Sequence, residues 1–157
     1  MNQDCALVHE FVRVAKRFFE RYPEVDHVLS VGSEGEYCVL EIPMSNEGGF
    51  DIHLDVSDRE ILIHCGDFHD HHELDSEIVE FVNHYFGFIY DLLSVSMRIR
   101  EFCSGRRPYK WTLECLEDGH WSEESTTGML LYNYFGKKSE LIMQNKTLPA
   151  REEPILK

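Results

Sequence analysis

The sequence predicts an α+β domain: a mainly antiparallel sheet of seven to nine strands with two main helices packed on it. Three observations carry that expectation. Two segments, one near the start of the chain and one in its middle, place apolar residues at three- and four-residue spacing. The other runs are short, alternate apolar with polar residues, and are punctuated by Gly, Asp, Asn or Pro at turn positions. Strands follow strands with no helix between them, which excludes the βαβ alternation of a parallel sheet. At 157 residues, 43% hydrophobic and 12% aromatic, the chain supports one core. That core is assigned to residues 1–148, with 149–157 as a flexible tail.

Each element has its own signal. Over residues 4–22, Leu7, Val8, Phe11, Val14, Ala15, Phe18 and Phe19 form one apolar stripe, with Asp4 as N-cap and Pro23 as stop. Residues 27–32 and 37–43 make a hairpin around Ser33-Glu34-Gly35-Glu36, where Gly35 supplies a positive φ. Phe50, Ile52, Leu54 and Val56 alternate with Asp51, His53, Asp55 and Ser57, so one strand face is buried and the other wet. Ser57-Asp58-Arg59 turns the chain into residues 60–65, with Ile61, Ile63 and Cys65 inward. Residues 64–73 then form a polar strand-to-helix loop. Asp75 or Ser76 caps the second helix, lined by Ile78, Val79, Phe81, Val82, Tyr85, Phe86, Ile89, Leu92 and Leu93, with Gly87 an unfavourable guest inside it. Further strands are expected at 95–102, 109–116, 121–127, 129–135 and 140–145, with turns at Gly105-Arg106-Arg107-Pro108, Asp118-Gly119 and Gly136-Lys137-Lys138.

Charge is distributed unevenly. The formal net charge is −14, and residues 24–80 hold sixteen carboxylates against the single cation Arg59, while residues 1–23 and 81–157 are close to neutral. A field of that sign repels nucleic acid and speeds encounter with a cationic partner. Five scattered cysteines without a CxxC pair read as reduced, core-filling thiols. No apolar run approaches the roughly 20 residues needed to cross a bilayer, and the first residues lack a basic, apolar leader. The expected location is the cytoplasm.

Tests for chemistry give little. His64-Cys65-Gly66-Asp67-Phe68-His69-Asp70-His71-His72-Glu73 concentrates four imidazoles, and in an extended segment His69 and His71 project to one side about 7 Å apart. With His64 and Asp67 they offer a donor set suited to zinc, manganese or iron. No HExxH, GxSxG, phosphate loop or paired-cysteine motif accompanies them. The sequence therefore predicts no catalytic residue, no cofactor and no metal. A His/Asp metal enzyme or sensor stays open as one alternative, and an acidic adaptor for an endogenous basic protein as another.

A strand Ile61-Leu62-Ile63-His64, the loop Gly66-Asp67-Phe68-His69-Asp70-His71-His72, a helix ending Asp91-Leu92-Leu93-Ser94, and strands closing on Asp118-Gly119-His120-Trp121-Ser122 together cover under half the chain. This arrangement resembles a group of small bacterial proteins, the immunity proteins of polymorphic toxin and contact-dependent growth inhibition systems. His71-His72-Glu73 departs from it where an apolar residue is expected. The resemblance implies a cytoplasmic protein that binds and blocks a cognate toxin domain, commonly a basic nuclease, and it carries no catalytic pattern. Acidic mimicry of a phosphate backbone agrees with the segregated charge. The expected contact set is Tyr37, Phe68 and Trp121 as anchors, ringed by Glu36, Asp51, Asp55, Asp67 and Asp70.

Overall fold

A computed structural model describes residues 5–129 and 133–151. Helix α1 (Ala6–Arg21) turns Leu7, Val8, Phe11, Ala15 and Phe19 into the core. It ends where Tyr22 N–H donates to the Phe18 carbonyl, one residue before Pro23. Its expected cap, Asp4, lies outside the described residues, and Cys5 takes the cap position without a side-chain hydrogen bond.

Strands β1 (Val28–Val31), β2 (Cys38–Ile42), β3 (Ile52–Val56), β4 (Glu60–Cys65) and β5 (Phe68–Glu73) form a five-stranded antiparallel meander in sequence order. Leu40, Leu54, Ile61 and Ile63 are fully enclosed on its inner face. Strand β5 is a correction to the polar loop expected over residues 64–73. Gly66, at φ 59°, turns the chain back, and His64 pairs with His69 and Cys65 with Phe68. The strand was disguised because Phe68 is the only apolar side chain on its inner face. The other inward positions, Asp70 and His72, are polar and find their partners on later elements.

Helix α2 (Ile78–Leu92) packs on α1 through Phe11–Phe86 and Phe18–Phe86 ring contacts, at 4.9 and 5.3 Å between centroids. Its N-cap is Glu77, not Asp75 or Ser76, and that cap makes no side-chain hydrogen bond. Gly87 has a packing reason to be there. A Cβ at that position would lie 3.1 Å from Arg151 Nη1. The bare backbone lets the Arg151 fork reach Asp91 one turn further on, with Nε and Nη2 donating to its two oxygens at 2.8 and 2.7 Å.

The remaining strands, β6 (Met97–Ser104), β7 (Arg107–Glu117), β8 (His120–Gly128) and β9 (Lys138–Met143), form a second antiparallel sheet in the order β8-β7-β6-β9. Asp118 and Gly119, at φ 49° and 79°, make the tight β7–β8 turn read from the sequence. The strand expected at 129–135 has its centre, 130–132, outside the described residues; Asn133 to Gly136 form a turn. The nine strands thus divide over two sheets, with α2 touching both α1 and β6.

Residues 144–151 link the β2–β3 loop to the end of α2, and of the tail expected at 149–157 only 149–151 lie among the described residues. Buried Asn145 accepts from Phe50 N–H and donates to the Leu92 carbonyl. Gly49 must be glycine for this approach, since a Cβ there would sit 2.6 Å from Asn145 Oδ1. Arg151 is held by Asp91, whose side chain is only 6% exposed.

Candidate functional site

Period-two alternation sends every second side chain of the meander away from the helices. On that outer face the register places Glu41, His53, His64 and His69 in one row across β2 to β5, and Val39, Asp55, Leu62 and His71 in the next. The rings of His53 and His64 lie 6.1 Å apart and those of His64 and His69 5.8 Å apart. His53 is oriented by carboxylates on both ring nitrogens, Glu41 at 3.5 Å and Asp55 at 3.2 Å. His71 meets Glu60 at 2.6 Å, and that hydrogen bond with the nearby carboxylates raises its pKa above the ordinary imidazole value.

A second feature lies at the sheet junction. There β5, the first half of α2 and strands β7 and β8 enclose a cleft of about 910 Å³. Phe81, Tyr85, Phe88, Met97 and Leu113 supply its apolar lining. Asp70, Glu73, Asp75 and Glu80 line one side, Glu117 and Glu124 the other, and no Lys or Arg is among the lining residues.

The two sheets are joined across this cleft by a chain of polar contacts. Ser125 Oγ donates to Asp70 Oδ2 at 2.6 Å, His72 Nε2 lies 3.5 Å from the same oxygen, and His72 Nδ1 is 3.1 Å from the Tyr85 hydroxyl. Thr127 donates to the His69 carbonyl at 2.5 Å, covering part of the exposed β5 edge. Burial pushes the Asp70 carboxyl upward, but the Ser125 hydroxyl, the His71 N–H and His72 together outweigh it and hold Asp70 below the usual carboxylate range. This order of partners does not activate a nucleophile. Attack requires a serine that gives its proton to an imidazole, whereas Ser125 is bonded to an already stabilised carboxylate, which is a poor base. The network acts as a clasp.

The cysteines are free thiols. Burial raises Cys38 to about 12 and, aided by Glu124, Cys115 to about 11. Cys103 is raised by burial and by Glu101, away from the range of an activated thiol. Among the described residues, Cys115, Glu117 and Glu124 have ligand atoms within 4.8 Å of one another, a set the sequence reading missed because it spans the β7–β8 hairpin.

The eight expected contact residues do not form one patch. Asp51 and Asp67 lie at one end of the meander, where Gly66 N–H donates to the Asp51 carbonyl. Glu36 and Tyr37 sit at the other end, about 15 Å away along β2. Asp55 lies on the outer face, whereas Asp70 points into the clasp. Phe68 is a correction: it is fully buried and cannot anchor a partner. Trp121 belongs to the second sheet, under the Arg98 guanidinium at 3.9 Å. Tyr37, at 49% exposed, is the accessible aromatic of the three. Sequence reasoning missed the cleft because its two walls, residues 70–88 and 113–125, come from separate stretches of chain that only the packing of the two sheets brings together.

Among the described residues no helix is long and apolar enough to cross a membrane. No family model, curated protein or solved structure matches the chain.

Proposed function

We propose that this protein is a non-enzymatic inhibitor, of the immunity type, that binds a basic protein domain such as a nuclease toxin through its acidic surface. The observation that carries the reading is the cleft between the sheets, lined by six carboxylates and no Lys or Arg over an apolar floor. Lys and Arg side chains are built to match it, with an apolar stem for the floor and a cationic head for the walls. A nuclease must display such side chains to hold phosphates, and covering them blocks its substrate.

The charge of residues 24–80 also stays available. Arg98, Arg100 and Arg151 pair with Glu114, Glu140 and Asp91, all outside that stretch. Uncancelled surface carboxylates give fast, salt-sensitive association, while affinity comes from the desolvated centre of the contact.

The test is co-expression with a toxin domain encoded beside the gene, followed by binding kinetics at low and physiological salt. The expected results are protection of the cell, a stable complex, and an association rate that falls about tenfold or more in Glu73→Gln/Glu80→Gln/Glu124→Gln. Absence of a complex at low salt, or unchanged kinetics in the triple variant, rejects the reading.

A further inference from the structure

We propose that His64 and His69, with His53 beside them, form a binding site for a divalent transition-metal ion on the outer face of the five-stranded sheet. The site is independent of the cleft and of the inhibitor reading. His53, His64 and His69 come from three adjacent strands and are direct cross-strand partners, His53 with His64 and His64 with His69. Sheet geometry therefore holds them on one face at a spacing set by the backbone, so little ordering remains for binding to complete.

The spacing suits an ion. A zinc–nitrogen bond of about 2.0–2.1 Å with tetrahedral angles puts two ligating imidazole centroids about 5.2 Å apart. The His64 and His69 rings lie 5.8 Å apart and inclined by 31°, so rotation of the side chains must bring them together by about 0.6 Å and turn one nitrogen of each toward a shared point. Both are exposed, so the rotation disturbs no core packing. His53 stands on the other side of His64 at 6.1 Å with a carboxylate on each ring nitrogen, so it joins as a third ligand by releasing Asp55 from Nε2 while Glu41 keeps Nδ1 and orients the ring. His71, two residues past His69, stands in the next cross-strand row, opposite Leu62, with Glu60 as its partner, and is not assigned to the set.

Imidazole nitrogen selects the class of ion. Zinc, copper and nickel favour such donors, whereas magnesium and calcium demand all-oxygen cages, which a row of rings does not offer. Glu41, Asp55 and Glu60 on the same face add an anionic field that raises the local cation concentration.

The test uses tag-free full-length protein titrated with zinc alone against a chromophoric competitor. The expected result is one zinc per chain, with affinity lowered about tenfold by His53→Ala and by more than that in His64→Ala/His69→Ala. Circular dichroism checks folding, and the bulkier pair His64→Gln/His69→Gln repeats the measurement if the alanine pair does not fold. Retention of zinc affinity by the folded double variant overturns the proposal. So does failure of the wild type to bind one equivalent, or binding that disappears instead in Cys115→Ser/Glu124→Gln.

Discussion

In the four-stranded sheet, and at the junction of α2 with the C-terminal segment, the buried charges are matched within the fold. Arg98 Nε meets Glu114 at 2.5 Å, Arg100 reaches both Glu114 and Glu140, and Arg151 closes on Asp91. The five-stranded sheet is organised the other way. Its carboxylates stand on the outer face or along the cleft, and where they have close partners these are mostly imidazoles, as at Asp55, Glu60 and Asp70. The difference teaches what each set of charges is for. Glu114, at 6% side-chain exposure, has two guanidiniums to compensate its desolvation and acts as structure. Exposed carboxylates with at most a titratable partner contribute little to stability, repel one another, and are free to meet a cation from outside.

That contrast can be broken most directly at its structural end. Glu114→Ala leaves two guanidiniums without their buried partner, and urea denaturation should show a loss of about 3–5 kcal/mol. A loss below about 1 kcal/mol would erase the distinction between the sheets. Aromatic burial sharpens it next: Phe68→Ala should cost about 3–5 kcal/mol, whereas exposed Tyr37→Ala should stay within about 0.5 kcal/mol.

The clasp gives a smaller effect. Ser125→Ala removes a hydroxyl that donates to a carboxylate, for about 1–2 kcal/mol at neutral pH. Because the folded Asp70 carboxyl titrates below its usual range, its contribution is present above that range and is lost as the pH falls through the folded value. Ser125→Ala should therefore flatten the acid limb of stability against pH.

In the cleft, Glu73→Gln/Glu80→Gln/Glu124→Gln should raise stability by a few tenths of a kcal/mol at low ionic strength, and salt should remove the gain. Destabilisation by that triple variant would mean the carboxylates hold the fold. The smallest expected change is at His71. Its pKa is raised by Glu60, so its contribution is present below the ordinary imidazole value of about 6.5 and fades as the pH rises through the folded value. Comparing the slopes of the melting temperature against pH for His71→Ala and the wild type tests the sign.

Much of the fold was legible because local rules and tertiary demands agree. The α1 stripe, the alternation through β3 and β4, and the Asp118-Gly119 turn each carry a pattern that the packing then uses. Strand β5 was illegible because its inward set, Phe68, Asp70 and His72, reads as polar until Ser125 and Tyr85 arrive from distant elements. Gly87 looked like a defect until Arg151, 64 positions away, filled the space a methyl group would take. The contact residues were legible as a charge class and scattered as a site, since alternation and turns send neighbours in sequence to opposite faces and ends.

By itself the sequence determined the α+β class, the elements with a clear period, the reduced cysteines and the segregation of acidic charge, because composition and periodicity act over a few residues. The division into two sheets, the cleft where their carboxylates meet, the burial of Phe68 and the row of His53, His64 and His69 were decided only by tertiary structure. Each depends on which strands pair and in what register, and that choice is set by the whole core closing at once.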